Sequence, residues 1–461
     1  MPTSRRDFLK TSSLASLGFL GLHQFVSSPL FAQGANDQPF GYGSLLADPA
    51  GIMELPKGFS YKIISRKGDQ MSDGFLVPGA GDAMATFPGP KGRVIILRNH
   101  ELSPGNAEQG PFGKQNELLP NIKRQKLYDY GNGQRAGMGG TTTLVYNPQT
   151  QAVETQYLSL AGTSRNCAGG LTPWNSWITC EESVEKADGV LEKDHGYNFE
   201  VPASAKISLA NPVPLKQMGR FNHEAVAVDP RTSIVYQTED RPDGLIYRYL
   251  PNTPRKLAKG GKLQVLALQG EPGRDTRNWE SLTGPKVEKG KSLAVEWLDI
   301  DDVESPEDDL RYRGLKQGAA VFARGEGMWF GKNEFYFACT NGGHRHLGQV
   351  FRYAPSPYEG TAREKEAPGR LELFVESDSS DLVKACDNLT IAPWGDLVLC
   401  EDQPVPHLVG VTPQGQFYRL GKNVGFQSEL AGAVFSPSGD TLFVNIQGPG
   451  LTLAITGPWR K

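Results

Sequence analysis

Two ten-residue segments of this sequence repeat one arrangement of residues able to do chemistry. They are Pro173-Trp174-Asn175-Ser176-Trp177-Ile178-Thr179-Cys180-Glu181-Glu182 and Pro393-Trp394-Gly395-Asp396-Leu397-Val398-Leu399-Cys400-Glu401-Asp402. Each opens on Pro-Trp, passes two turn residues and a run of strand formers, and closes on a cysteine and two acids. Looser copies run from Asp82 to Glu101, Glu224 to Asp240, Glu326 to Asn341 and Glu429 to Asn445, which makes six units in all. Their polar ends supply Asp82 with Glu101, Cys167 with Glu181 and Glu182, and Glu224 with Glu239 and Asp240. Further along stand Glu326, then Asp387 and Asn388 with Glu401 and Asp402, and finally Glu429 with Asn445. Carboxylates gathered in one partly desolvated place repel one another and are penalised by burial, so they call for countercharge. Multivalent metal supplies it: oxygen-rich sets suit calcium or magnesium, and a thiolate such as Cys167 selects a softer or redox-capable ion.

Other residues near these acids have roles to weigh. Arg324 and Glu326 are two apart and share a face if the chain is extended, as an anion clamp or a structural ion pair would require. His100 and His223 stand beside candidate acids as ligands or proton donors. His344 and His346 alternate in a Gly-flanked loop, without a third ligand. Cys180 and Cys400 sit inside apolar runs and read as small core residues, and Trp174 and Trp394 as packing between repeats.

The elements that must position these residues are β-hairpins, because short β-rich runs flank turn residues in every unit. Further strands such as Leu245-Ile246-Tyr247-Arg248-Tyr249 and Gln349-Val350-Phe351-Arg352-Tyr353 lie between them. An antiparallel hairpin returns its second strand to the edge where the first began, so all the polar ends gather at one end. The prediction is an all-β protein, a six-bladed β-propeller with loop insertions, whose competitor is a two-sheet sandwich. The insertions are expected at Ser103 to Ala136, Lys186 to Leu209 and Thr253 to Leu315, with Asp299 to Asp309 as a solvated loop.

Composition agrees. The 461 residues include 54 Gly and 33 Pro, nearly a fifth against a usual total of about 12%, so turns are many. A net charge of −3 without a basic run argues against a nucleic-acid partner. Five cysteines, an odd number without CxxC spacing, do not form a disulfide framework.

The first residues read as an address. Ser4-Arg5-Arg6-Asp7-Phe8-Leu9-Lys10 pairs arginines before Phe-Leu-Lys, and the Ser/Gly-diluted apolar stretch from Leu14 to Val26 follows. That is a twin-arginine signal over residues 1–35, with Ala32 or Ala35 before the cut and a single propeller domain over 36–461. The apolar run is shorter than the roughly 20 residues of a membrane span. The expected chain is therefore a periplasmic or secreted monomer without stable membrane association, whose partner is the twin-arginine translocase during export.

At these residues the chain resembles the PhoX-type alkaline phosphatases. The likeness is carried by Asn99-His100-Glu101, Asn166-Cys167-Ala168-Gly169-Gly170, Thr179-Cys180-Glu181-Glu182 and Gly219-Arg220-Phe221-Asn222-His223-Glu224. It continues through Thr238-Glu239-Asp240-Arg241, Arg324-Gly325-Glu326-Gly327, Asp387-Asn388, Cys400-Glu401-Asp402 and Thr441-Leu442-Phe443-Val444-Asn445-Ile446-Gln447. The resemblance implies a propeller channel holding ferric iron and calcium that hydrolyses phosphomonoesters. By the same analogy Cys167 is an iron ligand, with metal also held among Glu181, Glu182, Glu224, Glu239, Asp240, Glu326, Asp387, Glu401 and Glu429. Glu224, Arg324 and Glu326 are then the catalytic set, and Asn99, Glu101 and Arg324 meet the substrate. The alternatives are a calcium-dependent lactonase or organophosphate-type hydrolase, and a propeller that binds without catalysis.

Overall fold

The computed structural model describes residues 41–380 and 382–460; the signal expected over residues 1–35 lies outside them. From Ser44 the chain forms one compact unit. It is all-β and propeller-like: antiparallel meanders stand around an axis, each beginning with an inner strand. The inner strands are Gly81–Pro88, Asn166–Leu171, His223–Val228, Gly325–Phe330, Cys386–Ile391 and Leu430–Phe435. Each packs against the next in chain order, and Leu430–Phe435 packs back on Gly81–Pro88. The sheets number five among the described residues, of three, four, four, six and nine strands. The nine-stranded sheet contains two of the meanders, because their outer strands Ser292–Asp299 and Arg370–Glu376 pair with each other. The last meander takes its fourth strand, Ser60–Arg66, from the start of the chain, where it pairs with Leu451–Thr456. Closing a ring with strands from both ends removes an open edge.

The expected insertions are partly strand. The segment 253–315 supplies Gly261–Leu268 and Ser292–Asp299 to the sheet and carries the helix Leu310–Gln317. Within 186–209 lies Asn198–Pro202, paired with Ser176–Glu181. Their alternation was hidden by flanking Gly, Pro and charge, whereas 103–136 is loop with short 3-10 turns, as read. Trp394 packs edge-on to Phe435 and stacks on Trp459. Trp174 rests against an apolar cluster while donating to Glu200 at 2.6 Å. Cys180 and Cys400 are fully buried. All four play the packing parts expected of them.

Candidate metal centre

Every inner strand is interrupted at the same place. Gly81 pairs with His100 and Met84 with Arg98, so Asp82 and Ala83 together oppose one residue. The same register shift falls at Cys167-Ala168, Glu224-Ala225, Glu326-Gly327, Asp387-Asn388 and Gly432-Ala433. A β-bulge of this kind turns one side chain out of the strand's alternation. Here the first bulged residue is Asp82, Cys167, Glu224, Glu326 or Asp387 in five hairpins, and Gly432 in the sixth. The second is small in five of them, since the strands converge: a Cβ on Gly327 would stand 2.7 Å from the Asn388 Cα. On Gly432, with φ +65°, it would stand 2.4 Å from the Asp82 carbonyl oxygen.

Three of the second strands end in acid pairs, Glu181-Glu182, Glu239-Asp240 and Glu401-Asp402, whose members point opposite ways, as successive strand residues must. Glu182 and Asp240 join the channel, where each adds to the repulsion that raises its neighbours' pKa, and Asp402 and Glu101 do the same. The preceding residues turn away. Glu181 accepts from the Ser164, Gly196 and Tyr197 amides and from His195 Nδ1 at 2.7 Å. Glu239 accepts from the Leu245 amide and the Tyr247 hydroxyl, with Arg311 at 3.5 Å. Glu401 accepts from the Lys384 and His407 amides and from His407 Nδ1 at 3.0 Å. These three, expected as metal ligands, are therefore fully buried clamps on neighbouring loops.

Two arginines enter from matching positions, immediately before an inner strand. Arg165 and Arg324 both adopt left-handed backbone, φ 48° and 49°, a conformation costly for residues other than glycine and characteristic of functional sites. Arg324 grips Asp240 through two bonds of 2.8 Å and reaches Glu326 at 2.9 Å. Arg165 reaches Glu101 at 2.7 Å and also Glu182. Gln447 Nε2 ties Asp82 at 2.9 Å to Glu101 at 3.0 Å.

Two arginines do not balance this many acids. Burial, then the charges of Glu101 and Asp387, pushes Asp82 well above the carboxylate range. Burial first and neighbouring carboxylates next raise Glu224 and Glu326 likewise. Glu182 and Asp387 rise to about 8 for the same reason, and Glu429 to about 11. Ligand atoms of Cys167, Glu182 and Glu224 lie within 4.8 Å of one another, as do those of Glu224, Glu326 and Asp387. The fit to metal is physical: Asp82 Oδ1 is buried without a hydrogen-bond partner, and cations would relieve the repulsion. One triad offers a thiol with two carboxylates and the other carboxylates alone, and Glu224 belongs to both.

Not every candidate reaches this place. Asn99, expected at the substrate, is fully buried with its amide committed. Nδ2 donates to the Cys167 and Ala168 carbonyls, and Oδ1 accepts from Trp177 and Thr179. It fastens the Cys167 bulge from behind. His100 is held between the Gly79 carbonyl and Thr142, and His223 bonds Gly219 and packs on Phe221. His100 thus has both ring nitrogens committed, while His223 keeps a buried Nδ1 without a hydrogen-bond partner. His346 lies against Trp279. Asp82 and Asp402, named in the acid set of the sequence but not among the ligands that the resemblance implied, belong with the ligand candidates; Arg165 lies two residues before Cys167, the same offset as Arg324 to Glu326, and that spacing was the available signal.

Fold and site together define a propeller-like hydrolase with a carboxylate- and arginine-lined reaction channel. The family model for alkaline phosphatase PhoX matches residues 40–450, and the chain belongs to that family. It is a phosphomonoesterase, the chemistry that family membership selects among those considered. Pseudomonas fluorescens PhoX in complex with vanadate, described as a transition-state analogue, shares the fold with 17% identity and a TM-score of 0.62, covering 91% of this chain and 98% of that one. The periplasmic gluconolactonase PpgL of Pseudomonas aeruginosa is 13% identical over 85% of this chain and 90% of its own, with a TM-score of 0.40. No curated protein sequence matches the chain.

Proposed function

We propose that this phosphatase works through a mixed metal cluster in its channel, with ferric iron at Cys167, Glu182 and Glu224 and calcium at Glu224, Glu326 and Asp387. The observation that carries the reading is the pair of triads sharing Glu224, one with a thiol and one of oxygens alone. A thiolate favours the softer, redox-capable ion and an oxygen set the hard cation. Bound there, the cations would neutralise the phosphate and lower the cost of attack at phosphorus. Arg324 spends Nε and Nη2 on Asp240 and Glu326, and its side chain stays 35% exposed. Its remaining nitrogen is positioned to donate to a phosphate oxygen and to stabilise charge as it develops. Asp240 holds the guanidinium in place and Glu326 fixes its tilt.

The blade count we propose is six, the nine-stranded sheet being two blades joined at their rims. We further propose that the protein leaves the cytoplasm folded, as Arg5 and Arg6 indicate, because ligands as distant as Asp82 and Glu429 meet only after the ring closes. The test is elemental analysis of protein exported by its own signal, with aryl phosphate turnover measured before and after chelation. Iron and calcium both present, with turnover lost on chelation, is the expected result. Turnover unaffected by complete metal removal would overturn the cluster.

A further inference from the structure

The two hairpins most alike in sequence share a device that none of the others repeats. In each, the glutamate before the channel acid bonds the backbone just ahead of an inner strand: Glu181 accepts from the Ser164 amide at 2.9 Å, and Glu401 from the Lys384 amide at 2.9 Å. The next residue in each case, Arg165 or Ala385, is in the left-handed region, φ 48° and 51°, as Ala80 and Arg324 are before two other inner strands, φ 43° and 49°, without a glutamate at the turn. Two residues later the bulge presents Cys167 or Asp387. Each glutamate is also held by a histidine Nδ1 from the chain that follows it, His195 in a loop at 2.7 Å and His407 at the start of a strand at 3.0 Å. Both carboxylates are fully buried. Glu239, at the corresponding place in the His223–Val228 hairpin, grips Leu245 downstream and leaves the launching turn alone.

We infer that Glu181 with His195, and Glu401 with His407, are positioning pairs that set the left-handed turns from which Cys167 and Asp387 enter the channel. The inference rests on the cluster proposed above. A left-handed non-glycine residue persists where its surroundings over-determine it; the carbonyls of Arg165 and Ala385 accept from the Glu182 and Asp402 amides, a bond that Ala80 and Arg324 share with Glu101 and Thr340, and the glutamate adds a second bond to the amide of the preceding residue. Removing that acceptor frees the turn and lets the ligand two residues later drift. Groups that orient metal ligands from behind typically change affinity by about 10- to 100-fold when replaced.

The test compares Glu401→Gln, His407→Asn and Glu239→Gln in the full chain. Calcium affinity is read by calorimetry on chelator-treated protein, beside melting temperature and the KM and kcat for an aryl phosphate at saturating calcium. Glu401→Gln is expected to weaken calcium binding at least about 10-fold, and His407→Asn by less. Glu239→Gln should lower the melting temperature while leaving calcium affinity within about twofold. Because His407 is partly exposed, its variant keeps the experiment decisive if Glu401→Gln does not fold. Wild-type binding with unchanged affinity in the folded Glu401 and His407 variants, or an equal loss in Glu239→Gln, overturns the positioning pairs and leaves the cluster standing. A wild type that binds no calcium overturns both.

Discussion

Stripping metal from the channel should make the protein lose stability as pH rises, against the usual behaviour of carboxylates. Glu182 and Asp387 hold their protons to about 8 and Glu429 to about 11 in the folded chain, against ordinary values of 4.5, 3.8 and 4.5. Above their unfolded values and below their folded ones, the folded state binds protons that the unfolded chain has released. Stability then falls with pH by about 1.4 kcal/mol per unit for each proton, about 4 kcal/mol per unit for these three. His100 and His223, buried with lowered pKa values, act in the opposite sense only below the unfolded histidine value of 6.5, so pH 6.5–7.5 is a window in which every one of these groups acts in the same direction. With an unfolding entropy of about 2.1 cal/mol/K per residue, the 418-residue unit from Ser44 to Lys461 converts this to about 5 °C per pH unit. Scanning calorimetry in chelator at pH 6.5, 7.0 and 7.5 measures it directly, and excess calcium should remove the channel's share of the slope, leaving the smaller fall owed to His195 and Glu239, whose pKa values are also raised, to about 10 and about 7. A melting temperature that stays level or rises over that window without metal would refute the electrostatic account of the channel.

Other outcomes follow from the same geometry. Cys167→Ser should remove iron while calcium is retained, and lower kcat about 100-fold or more; elemental analysis beside turnover reads both. Arg324→Lys keeps the charge and loses the fork on Asp240, so kcat should drop about 10²- to 10³-fold with the melting temperature little changed. Asn99→Ala deletes four buried hydrogen bonds and leaves the Cys167 and Ala168 carbonyls and the Trp177 and Thr179 donors unmet. It should destabilise the fold by about 2–4 kcal/mol, measured by denaturant unfolding, without a selective effect on substrate affinity. Gly432→Asp, which would put a fifth carboxylate on the ring of bulges beside the Cys167 thiol, should fail to accumulate as folded protein, because a Cβ there meets the Asp82 carbonyl at 2.4 Å.

Much of this was legible in the chain. The recurring strand–turn–strand units and their polar ends gave the all-β reading, and the structure brings Cys167, Glu182, Glu224, Asp240, Glu326 and Asp387 to one end because hairpins return their ends to one edge. Two things were not legible. Which acid of Glu181-Glu182, Glu239-Asp240 or Glu401-Asp402 faces the channel depends on strand register, and shifting a boundary by one residue reverses every answer. The bulges were invisible as well, since an extra residue opposite a partner is a property of two strands and not of one. Asn99 was misassigned because its bonds run to a neighbouring sheet more than sixty residues away in sequence.

By itself, then, the sequence determined which residue types are available and that hairpins would carry them: thiol, carboxylates and arginines at strand ends. Tertiary structure alone decided which of them meet. Convergence of the inner strands and the bulge in each turn Cys167, Glu224, Glu326 and Asp387 inward, and the parity of the pleat turns Glu181, Glu239 and Glu401 outward as clamps. The physical reason is that a side chain's direction follows from pairing between strands, which local composition does not encode.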